Sequence, residues 1–381
     1  MRNQPPRNEA FGSSDNQQGV SGRWTRRQIL GASTLGSGMA AVGAALAGHT
    51  ERAQAGVFRR KSDGRKGTPV IDSHIHLWKL PRNQPPMSDN ATYPSGCCGS
   101  IPWLEVDRLM PDYDARVGGP KVDKVVLIES SVGVPPDKII QSNLWMLQTA
   151  AADNKILSVV GNLDVTQSPS TFAAQVRQLS DDKNWVGIRI GGGIFQPGTD
   201  HVFANIQPNV LTNLAFLAKR RLMIDTLGIT GSVLRSIVDA VPGLTIVMDH
   251  LAGKATAFDV EDSWKADMYQ AAAAPGVHIK VSDTHKLSAQ TVTGAPAGLI
   301  QFQPIADPEP YEPTLEFLFR TFGEDRLIFG TNWPVSDAGG IYVDSIDLQI
   351  SIGESFLANK FDGLEKVMFR NAERVYGGQR R

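Results

Sequence analysis

From Val70 to Gly330 the chain alternates short β-branched runs with longer amphipathic segments, and this alternation limits the possible folds more than any other feature. Parallel strands need a crossover of a dozen or more residues, usually a helix, so the pattern reads as a parallel sheet. The runs are Val70 to Leu77, Lys124 to Glu129, Leu157 to Leu163, Val186 to Ile190, Leu222 to Asp225, Thr245 to His250, His278 to Val281 and Leu327 to Gly330. Eight such strands are what a (β/α)8 barrel needs. Helical periodicity covers Lys138 to Ala152, Ser170 to Leu179, Asn209 to Arg220, Ser232 to Ala240, Val260 to Ala272 and Pro313 to Phe322. Two further helical segments, Ser345 to Leu357 and Gly363 to Tyr376, close the chain. No repeat and no long linker divides it, so one α/β domain is expected. Two insertions, Lys79 to Met110 and Ser282 to Asp307, leave the C-terminal ends of strands one and seven, where barrels build their sites.

The first strand carries the most telling chemistry. In Val70-Ile71-Asp72-Ser73-His74-Ile75-His76-Leu77-Trp78, side chains alternate, so Asp72, His74 and His76 share a face opposite Ile71, Ile75 and Leu77. Imidazole serves as base, acid and metal ligand near neutral pH. Other strands end in polar residues: Glu129, Arg189, Asp225, His250, Lys280 with Ser282, and Asn332 in Gly330-Thr331-Asn332-Trp333-Pro334. If the barrel closes, these approach one mouth. Asp249 is expected to face or cap a helix and is left out of the site. Asp72 is expected to orient its neighbours by hydrogen bonds. His201, His278 and His285 have no motif around them and read as structural or loop residues.

Upstream, Thr25-Arg26-Arg27-Gln28-Ile29-Leu30 is a twin-arginine signature opening a weakly apolar run to Gly48. Ala53-Gln54-Ala55 supplies a small-x-small cleavage pattern, so residues 1–55 read as a signal peptide with a polar extension, and residues 56–381 as the mature domain. The expected location is periplasmic or secreted, reached through the Tat export machinery. The apolar run is too glycine-rich for a stable membrane anchor. A formal net charge of −1 gives no reason to expect nucleic acid as a partner. Cys97 and Cys98 are adjacent, with Cα atoms about 3.8 Å apart, shorter than usual disulfide spans.

Taken together, Ile71-Asp72-Ser73-His74-Ile75-His76-Leu77-Trp78, Val186-Gly187-Ile188-Arg189, Met248-Asp249-His250-Leu251, Ile279-Lys280-Val281-Ser282, Phe329-Gly330-Thr331-Asn332-Trp333-Pro334-Val335 and Asn371-Ala372-Glu373-Arg374-Val375-Tyr376 resemble the amidohydrolase-related family. The resemblance is to its lactonase branch, which includes 2-pyrone-4,6-dicarboxylate lactonase, sulfomuconolactone hydrolase and sugar lactonases. It spans essentially the whole mature chain in order. It implies a distorted TIM barrel with its site at the mouth. Two positions depart from the family. Most relatives carry aspartate where this chain has Asn332, and metal-dependent relatives place histidine near Asp225. An amide neither titrates nor binds cations well, and two histidines fall short of the three protein ligands usual for catalytic zinc.

The resemblance therefore implies a hydrolase that opens the ring of a small anionic or polyhydroxylated lactone, with no cofactor. His74, His76, His250 and Asn332 are the expected catalytic residues, with His250 as base; Arg189 and Lys280 are expected to bind substrate. On this reading Asn332→Asp keeps or raises activity. The alternatives are a zinc-dependent decarboxylase or hydrolase, with His74, His76 and Asp225 or His250 on the metal, and a periplasmic barrel that binds a small molecule without turnover.

Overall fold

The computed structural model describes residues 67–79, 107–118, 122–130, 134, 136–191, 208–253, 260–284, 309–340, 345–360 and 362–378. The twin-arginine segment, Ala53-Gln54-Ala55, Cys97, Cys98, His201, His285 and most of both insertions lie outside these residues. Eight strands form one sheet in sequence order: β1 (Ile71–Ile75), β2 (Lys124–Ile128), β3 (Ile156–Gly161), β4 (Trp185–Gly191), β5 (Met223–Leu227), β6 (Ile246–Met248), β7 (Val277–Val281) and β8 (Leu327–Phe329). Every neighbouring pair is parallel. The ring closes just past the ends of β1 and β8, where the His76 amide donates to Trp333 O and the Asn332 amide to His74 O, both at 2.8 Å.

Helices cover the sheet. They include α1 (Met110–Asp114), α2 (Ile139–Ala152), α3 (Pro169–Ser180), α4 (Pro208–Lys219), α5 (Gly231–Ala240), α6 (Asp262–Ala272), α7 (Glu312–Phe322), α8 (Ser345–Leu357) and α9 (Asn371–Tyr376). Burial on both faces explains why the strands read as near-continuous aliphatic runs. The Ser168 hydroxyl caps α3 by accepting from the Thr171 amide, and Pro169 occupies the first turn, where its missing N–H costs nothing.

One buried cluster joins Ile71, Val126, Ile128, Val160, Val186, Met223, Val247 and Ile328 with Ala372 and Tyr376 of α9. Seven of the eight strands contribute to it, and β7 is the exception. In place of an aliphatic side chain, β7 sends Lys280 to lie 5.1 Å from the centre of the Tyr376 ring. The barrel therefore has a mostly apolar filling with one ionic layer above it.

His278, also on β7, has a consequence for stability. Burial, helped by the charges of Arg374 and Arg326, lowers its pKa to about 4 from 6.5. A depressed folded-state value leaves full stability above pH 6.5 and withdraws it as pH falls toward 4. Between these limits stability is expected to fall by on the order of 2 kcal/mol from this group alone, allowing for its partial exposure. Denaturant titrations across that range should show a shallower decline in the His278→Gln variant. An unchanged slope would remove His278 as the cause.

Candidate active site

The end of β1 presents His74 and His76 to the interior. His76 Nδ1 lies 2.9 Å from Glu129 O and 3.2 Å from Ile128 O. Carbonyls only accept, so Nδ1 carries the proton and Nε2 the lone pair. Burial, then the Arg189 and His250 charges, lower the His76 pKa to about 3. His74 is fully buried and also held well below its usual value, first by burial and then by Lys280. Both rings are therefore neutral at neutral pH.

Their open nitrogens converge. His74 Nε2 lies 3.1 Å from His76 Nε2, which in turn lies 3.1 Å from Asn332 Oδ1. The Asn332 amide cannot turn over, because its Nδ2 donates to Asp283 Oδ2 at 2.8 Å. An amide oxygen thus faces an imidazole lone pair. Two atoms that both ligate one zinc ion at about 2.0–2.2 Å stand roughly 3–3.5 Å apart, so the donor set passes the geometric test for a divalent cation.

Asp72 fixes this arrangement from behind. Its carboxylate accepts the His74 amide at 3.2 Å, the Thr331 amide at 2.8 Å, the Thr331 hydroxyl at 2.6 Å and the Tyr113 hydroxyl at 2.8 Å. One buried side chain thereby ties β1, the segment after β8 and α1 together.

Beneath the histidines runs a line of buried charge. Arg189 Nη1 lies 3.5 Å from Glu129, and its Nε donates to Asp249 Oδ2 at 2.8 Å. Lys280 Nζ meets Asp249 Oδ1 at 3.2 Å, His74 Nδ1 at 3.1 Å and Asp225 Oδ2 at 2.5 Å. Tyr376 donates to the other Asp225 oxygen at 2.7 Å. Burial, with Asp249 nearby, pushes the Asp225 carboxyl up to about 6 against the pull of Lys280. Asp249 feels the same burial, yet Lys280, His74 and Arg189 hold it well below the usual carboxylate range.

This layer revises four sequence expectations. Lys280, expected to bind substrate, is fully buried with its ammonium between two carboxylates and beside His74 Nδ1. Arg189 is buried between Glu129 and Asp249, an ion-paired position beside His76. Asp225 is held by Lys280 and Tyr376, which removes it as a metal ligand. Asp249, expected to face a helix, lies at the centre. It shares the interior face of Val247, two residues before it, and the left-handed turn at His250 brings the next residue to the same mouth. His74, Asp249 and His250 bring one potential ligand atom each within 4.8 Å of one another, but both oxygens of Asp249 already face cations.

The turn after β6 is unusual. His250, Leu251 and Ala252 all have left-handed backbone angles (φ 50°, 54° and 59°), and Gly253 continues them at 72°. Each non-glycine residue in that conformation costs about 1–2 kcal/mol. The turn is held by burial of Leu251, by the Trp264 indole donating to Leu251 O at 3.1 Å, and by the Ala252 amide donating to Asp249 O at 2.9 Å. It brings the His250 ring to 4.4 Å from that of His74. Asp283 (φ 56°) and Asn332 (φ 65°) are also left-handed. Strained positions gather where function demands a particular side-chain direction.

His250 is the most solvent-accessible of the three imidazoles. The Ser282 hydroxyl oxygen lies 3.3 Å from the His250 amide N–H, which it accepts, and 2.8 Å from Nδ1. Ser282 therefore fixes the direction of the His250 ring, and its hydroxyl can serve Nδ1 as donor or as acceptor.

An eight-stranded barrel with histidines from β1 and β6 and an amide after β8 defines a class of mouth-sited barrel proteins, and comparison identifies the family within it. The Amidohydrolase family model matches residues 71–378, and the chain belongs to that family. It is 24% identical over 298 residues to L-fucono-1,5-lactonase of Burkholderia ambifaria, covering 72% of this chain and 83% of that protein. Among solved structures, it is similar to an amidohydrolase from Burkholderia multivorans with bound HEPES (TM-score 0.63, 21% identity, covering 81% of this chain and 99% of that one). A second crystal form of that amidohydrolase, with bound zinc, gives a TM-score of 0.61 at 20% identity, covering the same shares, 81% and 99%. These structural likenesses establish the fold.

Proposed function

We propose that this chain hydrolyses a small lactone at the mouth of the barrel. The observation that carries the reading is the convergence of three imidazoles and one oriented amide at the strand ends. Similarity to an L-fucono-1,5-lactonase supports a lactone as substrate. Opening the ring requires attack by water on the carbonyl, donors for the developing oxyanion, and a proton for the departing ring oxygen. His250, the most accessible of the three imidazoles, is the group placed to pass a proton to that oxygen, and the neutral His74 and His76 line the carbonyl side. The buried ionic layer fixes His74 without entering the reaction. The substrate is a small polyhydroxylated or anionic ring, met outside the cytoplasm after twin-arginine export.

The cluster also fits a divalent cation. His74 Nε2, His76 Nε2 and Asn332 Oδ1 would hold it, and it would polarise the lactone carbonyl as a Lewis acid. Three neutral donors make a weaker cradle than one containing a carboxylate. The zinc-dependent decarboxylase reading has less support, because Asp225 and Asp249 are both engaged by cations.

The test assays the mature protein, purified without chelator, against sugar 1,4- and 1,5-lactones and 2-pyrone-4,6-dicarboxylate by proton release, with elemental metal analysis alongside. The expected result is ring opening that survives chelation and rises on adding zinc. Activity abolished by chelator and restored by metal would make the cation essential. Tight binding of lactones without turnover, with or without metal, would instead favour the binding-protein alternative.

A further inference from the structure

The closing helix α9 carries a sequence motif that lactone hydrolysis at the mouth leaves without a task. Asn371 fixes its start, with Nδ2 donating to Glu324 O at 2.7 Å and to Leu327 O, at the head of β8, at 2.8 Å. Residues four apart share a helix face, so Ala372 and Tyr376 point the same way, and both are fully buried in the apolar floor. An aliphatic side chain or a plain phenyl ring would fill that space. Tyr376 instead brings a hydroxyl into it, and a buried hydroxyl is costly unless it has a partner.

The contacts of that side chain lead to the mouth. Its hydroxyl donates to Asp225 Oδ1 at 2.7 Å, and Lys280 Nζ lies over its ring, 5.1 Å from the centre. Asp225 Oδ2 in turn lies 2.5 Å from that Nζ, so Tyr376, Asp225 and Lys280 form a closed triangle. From its apex, Lys280 Nζ reaches His74 Nδ1 at 3.1 Å. Short contacts between fully buried groups thus run from the floor of the barrel to an imidazole at its mouth. Asp249 Oδ1 is the competing partner of Lys280, at 3.2 Å. Which carboxylate holds the ammonium more closely therefore decides where it stands against His74. A buried ion pair is weak evidence for stability, since well-packed aliphatic side chains often serve as well, so this one calls for another use.

We propose that Tyr376 is a positioning residue for His74, a role whose effect on turnover rests on the lactone-hydrolysis reading. Its hydroxyl pins one oxygen of Asp225, which sets the other against Lys280, and Lys280 sets the His74 ring. Without the hydroxyl the Asp225 carboxylate is free to rotate, the ammonium shifts toward Asp249, and its contact with His74 Nδ1 changes. Small displacements are enough, since a misplacement of about 1 Å can cost roughly 10²-fold in rate. No proton moves along the chain: each link acts by direction and distance.

Tyr376→Phe removes the hydroxyl and keeps the ring. The expected result is a fall in kcat of about tenfold with KM held within roughly threefold. The melting temperature falls whatever the role, because a buried carboxylate oxygen loses its donor, so it serves only to choose a temperature at which both proteins are folded. A merely structural role would not move the ring of His74. Its nitrogen resonances, followed by NMR of isotope-labelled histidine, are expected to shift by more than those of His76 and His250. Asp225→Asn breaks the chain one link further on while still accepting from Tyr376, and the same fall and shift are expected if Tyr376→Phe does not fold. In a Lys280→Met/Asp225→Leu background the chain is already cut, and adding Tyr376→Phe is expected to change kcat by less than about twofold. A native kcat for Tyr376→Phe, unmoved His74 resonances, or an undiminished effect in the cut background would each overturn the proposal. Should the native protein open no lactone, the lactonase reading falls, and the His74 resonances alone decide whether Tyr376 positions that ring.

Discussion

Replacing Lys280 with methionine is expected to destabilise the fold by about 3–5 kcal/mol, the largest effect any single substitution should have here. The side chain is fully buried, and its ammonium lies between Asp225 and Asp249, which belong to different strand ends. Methionine matches the volume but leaves Asp225 without its cation and Asp249 with only Arg189. Like charges in a dry interior then oppose each other with little screening. Urea denaturation followed by circular dichroism measures the loss. The pair Lys280→Met/Asp225→Leu removes both charges together and should recover roughly half of it, because deleting a whole buried ion pair is far less harmful than deleting one partner. A loss under about 1 kcal/mol for Lys280→Met would mean that the ionic layer does not need its central cation.

The second large effect falls on turnover. His250→Asn is expected to lower kcat by about 10²–10³-fold, the usual consequence of removing one donor aimed at developing negative charge. Asparagine is the informative choice because it tolerates the left-handed backbone that position 250 requires (φ 50°). Its short side chain can still receive the Ser282 hydroxyl, while the donor toward the ring oxygen is lost. Steady-state kinetics with melting temperature as a control should show kcat reduced, KM little changed and the fold intact. Should kcat stay within about fivefold, His250 is not the proton donor.

The sequence and the structure part company at identifiable places. All eight strands are legible from β-branched runs, because burial on both faces leaves little freedom of composition. The neighbourhood of His74, His76, His250 and Asn332 is legible from strand ends. Asp249 follows Val247 onto the interior face, and what spacing hides is the left-handed turn at His250 that puts two consecutive residues at one mouth. Polarity marks Lys280 and Asp225 as unusual strand residues, but their pairing with each other across the interior is tertiary information. The contact of Asp283 with Asn332 is not legible either, because Asp283 lies in an insertion, where neighbours cannot be inferred from spacing. Tyr376 is visible as the end of a motif, yet nothing local says that its hydroxyl reaches Asp225.

That last contact bears on how the protein is made. Asp225 emerges from the ribosome about 150 residues before Tyr376, the separation over which the two are hydrogen-bonded. Until residue 376 has been synthesised, a nascent barrel holds a buried carboxylate lacking its hydroxyl partner and an apolar floor open where α9 will sit. The order of synthesis therefore delays completion of the interior until α9 arrives, and premature termination before it should yield chains that a quality-control protease can recognise, however many strands they have already paired.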